Sequence, residues 1–105
     1  MSLIEIRVTA PDSKTADQIA TRLVEERLAA CVQQLPEISS TYVWEDKVER
    51  ETEILLLIKT TGDAFTSVSE VILDIHPHDT PEILAVPVKD ALASYAMWVH
   101  RTVIK

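Results

Sequence analysis

The chain has 105 residues, of which 47% are apolar and 26% charged. That balance suits one folded domain spanning residues 1–105 and does not suit a disordered segment. Its 17 acidic residues outnumber 10 basic ones, giving a formal charge of −7, which argues against a nucleic-acid face and against attraction to anionic membranes.

In chain order, "LIEIRVTA" (3–10) alternates, with Ile4, Ile6 and Val8 on one side, and predicts a strand. Asp12 or Ser13 is placed to cap the helix that follows. Ala16, Ile19, Ala20, Leu23, Val24 and Leu28 fall at helical spacing and predict one apolar stripe. Residues 31–61 read as two strands. Pro36 predicts a bend or bulge in the first, and "EDK" (45–47) reads as their turn without the glycine of a tight primed hairpin. "ILLLI" (54–58) is apolar on both faces, a surplus for a sheet with helices on one side, so the second face must meet something else. The spacing predicts a helix over 62–75, capped by Asp63, with Phe65, Val68, Ile72 and Ile75 inward. His76-Pro77 ends it, because the residue before proline avoids the helical region. "EILAVPV" (82–88) predicts an edge strand. Residues 90–105 predict a last helix with Leu92, Tyr95, Ala96, Trp98, Val99 and Val103 as its apolar members.

The order β-α-β-β-α-β-α is that of an α+β, ferredoxin-like βαββαβ fold with an extra C-terminal helix and one antiparallel sheet. A single glycine leaves no Gly-rich phosphate cradle. The single cysteine, Cys31, allows no internal disulfide and reads as a small buried apolar residue. The N-terminus lacks the regions of a secretory signal, and no run reaches the length of a membrane span. The expected location is the cytoplasm.

"TAPD" (9–12), "LVEERLAACV" (23–32), "SSTYVWEDKVERETEILLLIKT" (39–60) and "HPHDTPEILAVPV" (76–88), followed by Tyr95 and Trp98, closely resemble the CutA family of divalent-cation tolerance proteins. The resemblance covers nearly the whole chain. It implies tight homotrimers, packed through the second faces of their sheets and similar to the PII signalling proteins, which bind ligands in clefts between subunits. It also implies a bacterial-type role in tolerance of copper and other divalent cations. In some members the assigned copper ligands are a Cys directly before "TAP" and His directly before the Pro. Here those positions are Val8, Ile75 and His76, so only His76 carries over. Gln33, Asp46 and His78 also depart from the family's usual residues.

Two sets of candidate site residues follow. His76, His78, Asp79 and Glu82, with Asp74 nearby, offer imidazoles and carboxylates suited to Cu²⁺ or another divalent cation. Equally, His76 can stop the helix through a side-chain hydrogen bond, because two histidines at i and i+2 point apart in extended chain. Tyr42, Trp44, Lys59, Glu82, Tyr95 and Trp98 are candidates for inter-subunit clefts. The aromatics suit an interface, and Lys59 suits either an ion pair or capture of an anionic ligand. No catalytic constellation is forced by spacing. The expected protein is a non-enzymatic trimer, whose partners are other copies of itself and a divalent ion. The alternative is a PII-like sensor of a small anion.

Overall fold

In the computed structural model, which describes residues 2–104, the chain runs β1 (Leu3–Ala10), α1 (Ser13–Glu25), β2 (Cys31–Trp44), β3 (Lys47–Thr61), α2 (Phe65–Ile75), β4 (Ile83–Pro87) and α3 (Ala93–Thr102). The strands form one antiparallel sheet in the order β2-β3-β1-β4. Because β3 lies between β1 and β2, α1 must cross over it, and α2 likewise crosses between β3 and β4.

The alternation of β1 places Ile4, Ile6 and Val8 opposite Thr60, Ile58 and Leu56 of β3. Ile6, Val8, Leu56 and Ile58 are fully buried in one apolar core with Ala16, Ile19 and Leu23 of α1 and Val68 and Ile72 of α2. Burying each large aliphatic side chain stabilises by about 1.5–3 kcal/mol. Asp12 is the cap of α1: its Oδ1 accepts from the Thr15 amide at 2.8 Å.

Residues 38–53 lie beyond the reach of β1, whose partners on β3 are residues 54–61. They form a two-stranded arm with no buried side chain. Such a ribbon is marginal alone in water. At its base Pro36 and Glu37 oppose the single residue Ile54, and Glu37 has φ 55°, so the bulge expected at Pro36 is present.

Several expectations need correction. The second helix does not start at residue 62 under an Asp63 cap. A 3₁₀ turn occupies Gly62–Ala64, tied back by the Gly62 amide donating to Ser2 O at 2.9 Å, and Asp63 lies inside that turn. The hairpin turn is primed despite lacking glycine, since Glu45 and Asp46 have φ 50° and 65°. The last helix spans 93–102 rather than 90–105, of which Lys105 lies outside the described residues. Its end is set by the turn after α1: Arg27 Nε donates to Thr102 O, and the Ile104 amide donates to Arg27 O. Leu92 precedes that helix and is exposed, and Val24 of α1 is exposed rather than part of the buried stripe. The last strand covers 83–87, leaving Glu82 just before it.

Candidate functional site

The segment 76–82 leaves α2 and enters β4. His76 ends the helix in an extended conformation, as its position before Pro77 predicts. Its ring turns inward rather than out. Nε2 lies 2.8 Å from the carbonyl oxygen of Thr9 at the end of β1, and Nδ1 lies 3.1 Å from the His78 amide nitrogen. A carbonyl only accepts and an amide N–H only donates. These two contacts therefore assign the neutral tautomer with the proton on Nε2 and a lone pair on Nδ1. His76 is 7% exposed. The rings of His76 and His78 are 4.9 Å apart and tilted by 53°.

The other predicted donors are dispersed. His78, Asp79 and Glu82 are exposed. Asp74 is drawn away to α1, where it accepts from Arg22 at 2.6 Å while Glu26 accepts from the same guanidinium at 2.7 Å. Those two carboxylates hold the Arg22 guanidinium above its ordinary value, Glu26 most strongly. A cavity of about 730 Å³ beside this bridge, lined by Asp17, Glu25 and Asp74 among others, includes no residue of 76–82. Among the described residues, no three His, Cys, Asp or Glu side chains are grouped to hold a metal ion. Val8 is fully buried and Ile75 half-buried, as apolar members of the core and its margin.

The second constellation lies on the sheet face opposite α1 and α2. Strand alternation gives that face Leu3, Glu5, Arg7 and Thr9 of β1, Leu55, Leu57 and Lys59 of β3, and Cys31, Gln33 and Leu35 of β2. Lys59 Nζ donates to Glu5 Oε1 at 2.5 Å, and Arg7 Nε donates to Glu5 Oε2 at 2.9 Å. The Lys59 hydrogen bond, with help from Arg7 and against the opposing effect of burial, holds the Glu5 carboxyl below the usual carboxylate range. Around this charged centre the leucines of the face are incompletely covered. Leu55 and Leu57 are half-buried, while Leu35 and Leu84 are 41% and 44% exposed.

The aromatics fall in two places. Tyr42 and Trp44 share one face of the arm. Tyr42 Oη donates to Glu51, and Trp44, paired with Lys47, is 62% exposed, while Val48, at 74%, pairs with Val43 on the other face. Tyr95 and Trp98 lie one helical turn apart on α3, with ring centroids 5.6 Å apart and the rings tilted by 46°. Burial, and then the nearby Cys31, push the Tyr95 phenol up. The cleft candidates are thus spread over arm, sheet face and last helix within one protomer. Glu5 and Arg7 escaped notice in the sequence, although period-two spacing puts them on the Lys59 face. Nothing in the sequence marks the Thr9 carbonyl as the partner of His76.

A family model described as CutA1 divalent ion tolerance protein matches residues 4–102. The divalent-cation tolerance protein CutA of Thermus thermophilus is 42% identical over 95 residues, covering 90% of this chain and 92% of that protein. The mouse protein CutA is 40% identical over 94 residues, covering 90% of this chain and 53% of that protein. The chain therefore spans about half the length of the mammalian relatives it matches. Among solved structures, CutA of Xylella fastidiosa superposes with a TM-score of 0.95 at 40% identity, covering 98% of this chain and 99% of that one. A CutA from Archaeoglobus fulgidus, described as periplasmic, gives 0.93 at 38% identity, covering 96% and 98%.

Proposed function

Because the chain belongs to the CutA1 divalent ion tolerance family, we propose that it acts in tolerance of divalent cations, copper among them, as a homotrimer without catalysis of its own. The observation that carries this reading is the set of incompletely covered leucines, Leu35, Leu55, Leu57 and Leu84, on the outer sheet face. One protomer cannot cover them, and the bare arm at residues 38–53 needs a surface to lie on. Three subunits joined through these faces is what the family resemblance implies. The net charge of −7 draws cations toward the assembly, and the exposed donors of the 76–82 segment meet them. A strain deprived of its own copy tests this reading: the wild-type chain restores growth in graded Cu²⁺, and a Leu57→Lys chain that fails to assemble does not. Equal growth with the wild-type chain and with an empty vector would overturn it.

A sensor of a small anion in the inter-subunit clefts is the second reading. It is favoured by two cations, Arg7 and Lys59, sharing the single carboxylate of Glu5 on the assembling face. A thermal-shift comparison of metal ions with nucleotides separates the two, because a ligand of the folded state raises the melting temperature.

A further inference from the structure

We propose that His76 is a tautomer-locked latch closed to metal ions, and that the imidazole a divalent cation meets in this protein is the exposed His78. Only the second half rests on the reading of cation tolerance above.

An imidazole coordinates a metal through an unshared lone pair on a ring nitrogen. His76 has none to offer. Its Nε2–H is spent on the Thr9 carbonyl at 2.8 Å, and its Nδ1 lone pair receives the His78 amide at 3.1 Å. An ion at Nδ1 has to displace that amide. An ion at Nε2 has to expel a proton and leave the Thr9 carbonyl without its donor. Either loss falls in a buried setting, since His76 and Thr9 are 7% and 9% exposed, where an unmade hydrogen bond is costly. The two contacts also give the ring a structural task. They tie the C-terminal end of α2 to the end of β1, and they close the turn through Pro77 by returning the next amide but one to the ring.

His78 differs in each respect. It is exposed, it follows the turn that the latch closes, and Asp79 and Glu82 lie on the same exposed segment. With a single open imidazole here, the contact is an exchangeable one rather than a closed coordination sphere.

The test uses the full chain labelled with ¹⁵N and zinc chloride as the probe. Two-bond ¹H–¹⁵N spectra report which nitrogen of each histidine carries its proton, with assignments from His76→Gln and His78→Gln. The expected result is a neutral His76 protonated at Nε2, with ring signals unmoved by Zn²⁺, and His78 ring signals that move. His78→Gln is expected to weaken half-saturation about tenfold, equivalent to about 1.4 kcal/mol, and His76→Gln to leave it unchanged. A His76 protonated at Nδ1, or His76 signals that follow Zn²⁺, would overturn the latch. A response confined to His100, or none at His78 at millimolar Zn²⁺, would overturn the assignment to His78. Should His76→Gln not fold, the wild-type spectrum still decides the tautomer. Loss of copper protection in cells alongside a locked His76 would refute the functional reading and leave the latch standing.

Discussion

Replacing Leu57 by alanine separates assembly from folding. Leu57 sits between Leu56 and Ile58, both fully buried under the helices, but points to the other face and is half-buried in the protomer. The substitution deletes three carbons, worth about 0.8 kcal/mol each when buried, or about 2.4 kcal/mol in all. With the side chain half-covered before assembly, about half of that belongs to folding and about 1.2 kcal/mol to the contact between subunits. A closed trimer loses it three times, about 3.6 kcal/mol, so its association constant should fall between about 10²- and 10³-fold. Sedimentation equilibrium over a concentration series reads this directly, as monomer appearing where the wild type stays assembled. Leu56→Ala is the control: it should cost about 2–5 kcal/mol in folding through a core cavity without a specific loss of assembly. Should Leu57→Ala leave the association constant unchanged, the sheet face is not the interface.

Other outcomes follow from particular contacts. The turn at Glu45-Asp46 holds two non-glycine residues at positive φ, a conformation that costs about 1–2 kcal/mol for an ordinary side chain and less for Asn or Asp. The double variant Glu45→Asn, Asp46→Gly should therefore raise stability to chemical denaturation by about 1 kcal/mol, after allowing for the greater freedom of glycine in the unfolded chain. His76→Ala strands the Thr9 carbonyl and the His78 amide, and should lower stability by about 2–4 kcal/mol in the same assay. The Glu5 carboxyl is held down chiefly by Lys59 and then by Arg7. Its stabilising contribution is therefore complete above the ordinary glutamate range, about pH 4.3, and is lost as pH falls through the lowered folded-state value. Denaturation between about pH 5 and 2 should show this loss, and Glu5→Gln should flatten it.

What could be read in advance was whatever local pattern decides. Alternation in 3–10, the helical spacing from Ala16 to Leu23 and the proline at 36 each dictate a local conformation, and the structure contains the strand, the bulge and a helix that ends at Glu25, before Leu28. The doubly apolar 54–58 run predicted a second face in need of cover, and that face is indeed only half-buried. Where distant groups compete, the sequence is silent. The last helix stops at Thr102 because Arg27, far away in the chain, takes its carbonyl. The primed turn forms without glycine because the flanking strands pair in register from Tyr42–Glu49 to Trp44–Lys47 and impose their twist on Glu45 and Asp46. The candidate site was legible as a list of donors but not as a geometry. Whether His76 faced solvent or the Thr9 carbonyl depended on how α2 docks beside β1, which no spacing within 74–88 encodes.

The mass of the wild-type chain in solution is the most direct test of assembly through the open sheet face. Light scattering is expected to give three times the chain mass of 11.8 kDa, constant across the elution peak and on dilution. A single species at 11.8 kDa would contradict it.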